Sequence, residues 1–532
     1  MTAAPSSNVL TPQDLGMPSK FQNWRPGQWE SIEESTVTDK RFIANCAPTG
    51  FGKSPYYYAV AVLSGGRSVI ATATKALQDQ LSKDFNLFDM RGRQNYSCLK
   101  GHSLSCTEGR ILSCKDPGCP YTATRNRFLN SEIGLTNYAY LLSSVIHSEG
   151  VGKVDNLILD EAHSAVQELS SAIEIKLNHK SYNFLYQALG FPPHDSGDLD
   201  MWKAWAKSLL PRAQQYLKSI KESGEHKWLS LVDSYVLSLS LIATVDPEWI
   251  LDKSNPNETV ISPLWPTKYA DKYLFQDISR VILVSATLVP KTLSLLNIPS
   301  DVTLSLEQKY TFDSSRCPVY LFGSCYMDYR TTPGQFQELI GRMDTFIDRR
   351  LDRKGIIHPV SYAYGESIYE QSRHQGIIIF PRKSSELPKA IEKYLTSPAP
   401  AILMSPALTT GYDFPYSTCE YQVLLKIPFI DRRSPVMAAR SKSDPEYLPY
   451  LTAQTVVQIC GRAMRDFDDQ CETIILDLHA NQFFRSPSPT KKYRPGYRHL
   501  VPPYFLSRLK WPNGQPNPPP PLNRHPALHL VA

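Results

Sequence analysis

No run of about 18 apolar residues occurs in this 532-residue chain, which excludes an ordinary membrane-crossing helix. Residues 1–19 are polar, include Pro5, Pro12 and Pro18, and lack the apolar core of a secretory leader. Cysteine is also sparse. Ten thiols in so long a chain exclude a disulfide scaffold and leave reduced side chains as the default. Neither sign of charge dominates, with 57 Lys and Arg against 51 Asp and Glu, a net +6 and a pI near 8.6. That mild basicity fits a nucleic-acid partner without requiring one. These features predict a soluble, intracellular protein without membrane contact, cytoplasmic in a bacterium or phage host and nuclear in a eukaryote. The length allows about three compact units.

Two motifs carry chemistry. In Ala47-Pro48-Thr49-Gly50-Phe51-Gly52-Lys53-Ser54, Gly50 and Gly52 permit a turn that aims backbone N–H groups and a helix N-terminus at anionic oxygens. Thr49 and Phe51 complete the loop, and Ala47 stands where such loops usually have their first glycine. Lys53 would reach the β- and γ-phosphates of ATP, and the Ser54 hydroxyl would sit on Mg²⁺. Pro55 is tolerated because a first helical turn has no N–H partner to lose. Downstream, the apolar run Val154-Asp155-Asn156-Leu157-Ile158-Leu159 closes in Asp160-Glu161-Ala162-His163, a DEAH box. Asp160 ends a buried-strand pattern where a Mg²⁺-holding carboxylate is needed, and Glu161 follows it, placed to orient an attacking water. The pair implies a nucleotide-hydrolysing motor.

Cys98, Cys106, Cys114 and Cys119 fall within 22 residues, spaced C-x7-C-x7-C-x4-C among Gly101, Gly109, Pro117, Gly118 and Pro120. Such a stretch has too few apolar residues to fold by burial, so a metal centre on four thiolates would supply its order. Spacing leaves both zinc and iron–sulfur open. Cys46, Cys317, Cys325, Cys419, Cys460 and Cys471 are scattered and read as core thiols.

The remaining chain predicts α/β architecture: two parallel sheets with insertions in the first. Arg25 and Gln28 precede the phosphate loop as nucleotide contacts, Gln28 as an adenine reader. A β-branched strand at 68–74 leads to a helix at 76–81, and 135–142 precedes the DEAH strand. Residues 164–263 read as helical, with core stripes at Leu229, Val232, Val236 and Leu239 and at Trp202, Trp205 and Leu209. The sheet pattern resumes at 280–284 and runs into Ser285-Ala286-Thr287. Apolar runs at 355–358, 376–380, 401–405, 423–425 and 473–477 build a second unit without a nucleotide loop. Within it, Gln458-Ile459-Cys460-Gly461-Arg462-Ala463-Met464-Arg465 places Arg462 and Arg465 three apart, predicting two guanidiniums on one helix face aimed at the γ-phosphate. Beyond Phe484 the chain turns Pro-rich, with a basic run at 491–494. Its last twenty or so residues are expected to be extended or disordered.

In order and spacing these motifs resemble the XPD/DinG family of superfamily-2 DNA helicases. The resemblance runs over roughly residues 20–485 and includes 405–413, Lys426-Ile427-Pro428-Phe429 and 458–465. It implies two RecA-like lobes closing on ATP and Mg²⁺, with an iron–sulfur domain and a helical arch both inserted in the first lobe. The first lobe would take 1–95, 121–163 and 264–300, the iron–sulfur domain 96–120, the arch 164–263, the second lobe 301–490 and a Pro-rich tail 491–532. Carried onto this chain, the four cysteines bind a [4Fe–4S] cluster where duplex splits, and Gln458, Arg462 and Arg465 face Lys53, Ser54, Asp160 and Glu161. Asp413 contributes to the nucleotide site, and His163 with Ser285 and Thr287 couples hydrolysis to grip. A monomer moving 5′→3′ on single-stranded or forked DNA is implied. The chain departs from the family in its shortened arch, its even cysteine spacing and Thr410, where many members have Glu. Two other functions fit parts of the pattern: a translocase that strips or remodels without unwinding, and a silent nucleic-acid-binding scaffold. The intact set of Lys53, Asp160, Glu161, Arg462 and Arg465 argues against the scaffold.

Overall fold

In a computed structural model, residues 9–511 are described except 100–103, 113, 115–117, 149, 224–226, 410–413, 415, 465–468 and 486–495. Seven parallel strands form the first lobe's sheet. Five precede the large insertion: β1 (Phe42–Cys46), β2 (Ser68–Thr72), β3 (Phe88–Asp89), β4 (Ile133–Asn137) and β5 (Asn156–Asp160). The insertion supplies β6 (Ile175–Asn178), β7 (Trp249–Asn255) and β8 (Glu258–Pro263), after which β9 (Arg280–Ser285) and β10 (Thr303–Glu307) return to the main sheet. Its order is β10-β1-β9-β5-β2-β4-β3, all pairings parallel. Central strands such as Asn156-Leu157-Ile158-Leu159-Asp160 are buried on both faces, which is why they read as continuous apolar runs.

The second lobe repeats the plan with β11 (Val319–Cys325), β12 (Lys354–His358), β13 (Ile378–Ile379), β14 (Ala401–Met404), β15 (Tyr421–Leu424), β16 (Glu472–Asp477) and β17 (Leu509–Lys510), ordered β13-β14-β12-β15-β16-β11-β17. Among the described residues, one ion pair lies wholly inside it. Arg350 grips Glu472 through Nε–Oε1 at 2.6 Å and Nη2–Oε2 at 2.8 Å, with the Phe346 ring 3.2 Å below the guanidinium carbon. Burying two charges is tolerable only with such bidentate geometry.

Two insertions interrupt the first lobe. Between β3 and β4 lies the cysteine-bearing segment with helices Cys106–Ile111 and Pro120–Asn130. Between β5 and β9 the helices Ala165–Ile173, His179–Leu189, Leu199–Ser223 and Leu229–Ile242 accompany β6, β8 and β7, which form an antiparallel sheet in that order. The expectation of a purely helical segment is therefore corrected. Ile261 on β8 pairs with Ile175 on one side and Leu251 on the other, and a β-branched run like Thr259-Val260-Ile261 packs better on a pleated surface than on a helix. Trp202, Leu209, Leu229, Val232 and Leu239 are buried in the insertion's own core, with Trp205 and Val236 at its margin. Ile111 and Leu112 of the cysteine segment join that core, so the two insertions lean on each other.

The chain past Phe484 also departs from expectation. Helix Pro503–Leu506 and β17 follow, and β17 adds a parallel strand to β11. Arg508 is buried beside them and donates to Cys317 O at 2.8 Å and Cys460 O at 3.1 Å. Those bonds, together with Leu500, Val501, Tyr504, Phe505 and Leu509 buried in the adjoining core, hold a Pro-rich segment against the sheet. The basic run 491–494 and the final twenty residues lie outside the described residues. Among the described residues no helix is long and apolar enough to cross a membrane.

Candidate active site

The phosphate loop turns out of β1 into helix Lys53–Leu63. Gly50 and Gly52 take left-handed backbone at φ +86° and +82°, where side chains are strained. At Gly50 space is lacking as well, because an added Cβ would lie 2.0 Å from the Phe312 ring. Ala47 is not among the left-handed residues and its N–H donates to Ser285 O at 3.0 Å, so no glycine is needed there. Arg25 and Gln28 brace the loop from outside. Arg25 Nη1 donates to Gly50 O, while Gln28 Nε2 donates to Gly52 O at 2.8 Å and Gln28 Oε1 accepts from Arg25 N. A cavity of about 180 Å³ beside them is lined by Phe21, Trp24, Arg25, Gln28, Gly52 and Pro55.

Asp160 closes β5 at the centre of the sheet and is almost fully buried. Its Oδ1 accepts from Glu161 N at 2.9 Å and its Oδ2 from Tyr57 OH at 3.3 Å. The same Tyr57 hydroxyl lies 3.2 Å from Ser54 Oγ, so one phenol spans the two groups expected to hold Mg²⁺. Burial, and then the charge of Glu161, push the Asp160 carboxyl up to about 7. An under-bonded buried carboxylate next to a hydroxyl suits a divalent cation, which would reverse that shift.

Glu161 sits in left-handed backbone at φ +49°, a conformation that costs on the order of 1–3 kcal/mol and persists where function requires it. Lys53 Nζ lies 3.4 Å from its Oε1 and His163 Nδ1 3.3 Å from its Oε2. Against the raising effect of burial, Lys53 and then His163 hold the Glu161 carboxyl well below the usual range. His163 Nδ1 also meets Ser285 Oγ at 2.7 Å, and Ser285 Oγ accepts from Thr287 N at 3.1 Å. The strand end at Ser285-Ala286-Thr287 is thus joined to the DEAH box.

The second lobe reaches in at two points. Gln458, near the end of helix Tyr447–Cys460, bonds His163 Nε2 through its amide. Gly461 follows, and an added Cβ would come 3.2 Å from Thr49 Oγ1 of the phosphate loop. The expectation that Arg462 lies on this helix is corrected, because the helix stops at Cys460, whose carbonyl is taken by Arg508. Arg462 lies in the following turn, near His358, whose imidazole burial pushes down to about 4 with Arg462 adding to the effect. Arg465 and Asp413 lie outside the described residues.

Several contributors went unread in the sequence. Tyr57 stands one helical turn after Lys53, the spacing that puts two side chains on one face, and was legible in principle. Phe312, from the segment joining the lobes, and Tyr504, which donates to Ala286 O at 2.8 Å across the lobes, carry no local signal.

The four clustered cysteines are described in part. Cys98, Cys106 and Cys119 are buried and Cys114 is half-buried. Gly109 lies between Cys98 and Cys114, since an added Cβ would come 2.5 Å from Cys98 Sγ and 3.6 Å from Cys114 Cβ. Cys106 meets Cys119 and also accepts from Arg93 Nη1 at 3.6 Å. Among the described residues no three His, Cys, Asp or Glu side chains converge as metal ligands do. The donor chemistry and the glycine cradle nonetheless fit a thiolate-bound centre.

Residues 25–188 match the DEAD/DEAH box helicase family and residues 350–484 the helicase C-terminal domain family. The first stretch spans β1 to β6 and the second β12 to β16. The fold is similar to a solved structure titled XPD helicase, at TM-score 0.62 and 15% identity, covering 85% of this chain and 95% of that one. It is likewise similar to Xpd4 of S. tokodaii, at TM-score 0.54 and 16% identity over 86% and 97%. No curated protein sequence matches. The chain therefore carries both a DEAD/DEAH box helicase domain and a helicase C-terminal domain, in the XPD-like arrangement of two RecA-like lobes with both insertions in the first. Its class is that of an ATP-dependent, nucleic-acid-dependent helicase.

Proposed function

We propose that the protein is a monomeric ATP-driven DNA helicase that advances 5′→3′ along one strand and parts forked duplex. The observation that carries this reading is the convergence of Lys53, Glu161 and His163 from one lobe with Gln458 and Gly461 from the other. Hydrolysis at such a seam is sensed by both lobes at once, as a ratchet requires. Lys53, now satisfied by Glu161, is the cation a γ-phosphate would claim, freeing Glu161 to orient water. Ser54 and Asp160 would hold Mg²⁺, which supplies charge neutralisation on the phosphate oxygens. Arg462 and Arg465 act as transition-state cations, Asp413 joins the nucleotide site, and the cavity beside Arg25 and Gln28 receives the base.

Cys98, Cys106, Cys114 and Cys119 bind a [4Fe–4S] cluster, which orders the insertion that meets the duplex. The first lobe comprises 1–95, 121–163 and 264–307, the cluster domain 96–120 and the arch 164–263; the expected boundary at 300 is corrected because β10 pairs with β1. The second lobe begins with the segment leading into β11 and extends past 490 to include β17.

ATP turnover measured with and without single-stranded DNA tests the motor, and forked substrates with either overhang test polarity. We expect stimulation by DNA, unwinding from a 5′ overhang only, and brown protein with visible absorption. Equal turnover with and without DNA would overturn the reading.

A further inference from the structure

Helix Pro503–Leu506 and β17 lie beyond residue 484, where the stretch matched by the helicase C-terminal domain family ends. This short segment holds both lobes and the chain that joins them. Toward the first lobe, Tyr504 OH donates to Ala286 O at 2.8 Å. Toward the second, Arg508 donates to Cys317 O at 2.8 Å and to Cys460 O at 3.1 Å, two residues past Gln458. Between them, the Tyr504 ring lies parallel to that of Tyr310 in the inter-lobe segment, with centroids 5.7 Å apart and planes within 4°, and the Arg508 guanidinium carbon stands 5.2 Å from the same Tyr310 ring.

The Tyr504 bond ends on a carbonyl with little other support. Among the described residues, Ala286 O receives only one further bond, from the Cys46 thiol at 3.9 Å, and a thiol is a weak donor. Tyr504 itself is 8% exposed, so water does not readily replace its hydroxyl. Burial holds the phenol well above its usual pKa, which keeps it an O–H donor through the neutral range.

Ala286 directly follows Ser285, whose hydroxyl meets His163 Nδ1 at 2.7 Å, while Gln458 takes His163 Nε2. The second lobe therefore reaches both ring nitrogens of His163, one directly through Gln458 and the other through Tyr504, Ala286 and Ser285. His163 in turn lies 3.3 Å from Glu161. We propose that Tyr504 is a positioning residue for ATP hydrolysis, which keeps Ser285 against His163 and thereby aligns Glu161 when the lobes are together. The assignment rests on the reading that hydrolysis takes place at this seam.

The test compares ATP turnover of the full-length wild type, Tyr504→Phe, Gln458→Ala and the double variant over a range of ATP concentrations, at saturating single-stranded DNA and without it. Tyr504→Phe keeps the ring against Tyr310 and removes only the hydroxyl. Its kcat should fall about 2- to 12-fold, the scale of one ordinary hydrogen bond, while KM for ATP holds, because the hydroxyl reaches the nucleotide site only through Ala286 and Ser285. In the Gln458→Ala background the same change should cost less than about 2-fold, since an imidazole already loose on one side is no longer aligned from the other. A wild-type kcat in Tyr504→Phe, a raised KM with kcat held, or the same loss in both backgrounds would overturn the assignment. A wild type whose turnover ignores DNA would sink the DNA-helicase reading alone, and the same comparison made on that turnover would still decide for or against Tyr504. A wild type that hydrolyses no ATP would overturn both.

Discussion

Asp160 and Asp477 end nearly the same sequence, Asn156-Leu157-Ile158-Leu159-Asp160 in one lobe and Glu472-Thr473-Ile474-Ile475-Leu476-Asp477 in the other. Both close a central parallel strand and both are buried. Their surroundings differ in donors. Asp477 accepts from three backbone amides and an imidazole, whereas Asp160 accepts from one amide and one phenol. A saturated carboxylate is a fastener, and an unsaturated one beside the Ser54 hydroxyl keeps lone pairs that suit a cation. An apolar run ending in Asp thus identifies a strand exit, and only the donors around it say which job the carboxylate has.

The contrast can be broken most directly at Asp160. Asp160→Asn should lower ATP turnover by about 10²–10³-fold, the scale seen when a positioned transition-state charge is lost, while urea denaturation shows a fold at least as stable as the wild type. Turnover near the wild-type rate would erase the distinction. Asp477→Asn should do the converse. Its amide turns an N–H toward donors, so stability should fall by about 1–3 kcal/mol, read from the midpoint of urea unfolding. Tyr57→Phe sharpens the first half of the comparison by removing only the hydroxyl between Ser54 and Asp160. A loss of about 0.5–1.5 kcal/mol predicts a turnover reduced several-fold, with a raised Mg²⁺ requirement as its signature.

The last expected effect is pH-dependent and belongs to the second lobe. His358, at the end of β12, is buried against Gln422 Oε1 at 3.1 Å, and burial lowers its pKa to about 4 from 6.5. Between those values the unfolded chain binds the proton and the folded one does not, so this contribution is present above pH 6.5 and is lost as pH falls toward 4. The full shift corresponds to on the order of 3 kcal/mol. His358→Gln should flatten the stability profile across that window, measured by urea unfolding at stepped pH. An unchanged slope would place the acid sensitivity elsewhere.

Much of the architecture was legible locally. Five-residue strands buried on both faces announce themselves as apolar runs, and the phosphate loop and DEAH box are contiguous words whose chemistry dictates their letters. What escaped depends on residues far apart in the chain. The sheet of β6, β8 and β7 joins segments on either side of two long helices. Cys419 and Cys471, read as scattered thiols, meet with their sulfurs 3.9 Å apart because β15 and β16 are neighbours. Arg462 was placed on a helix by spacing alone, and Arg508, which takes the helix's last carbonyl, lies 46 residues later. Phe312 was invisible for the same reason, since its role exists only where the inter-lobe segment crosses Gly50.

β17 has a consequence for biosynthesis. As the chain leaves the ribosome, β11 emerges with both flanks unpaired; β16 covers one, and the strand that covers the other is translated only after the rest of the second sheet. An open strand edge invites pairing with other chains. Nascent protein should therefore be most prone to aggregate just before Arg508 emerges, and stalled or prematurely terminated chains should depend on chaperones far more than finished ones.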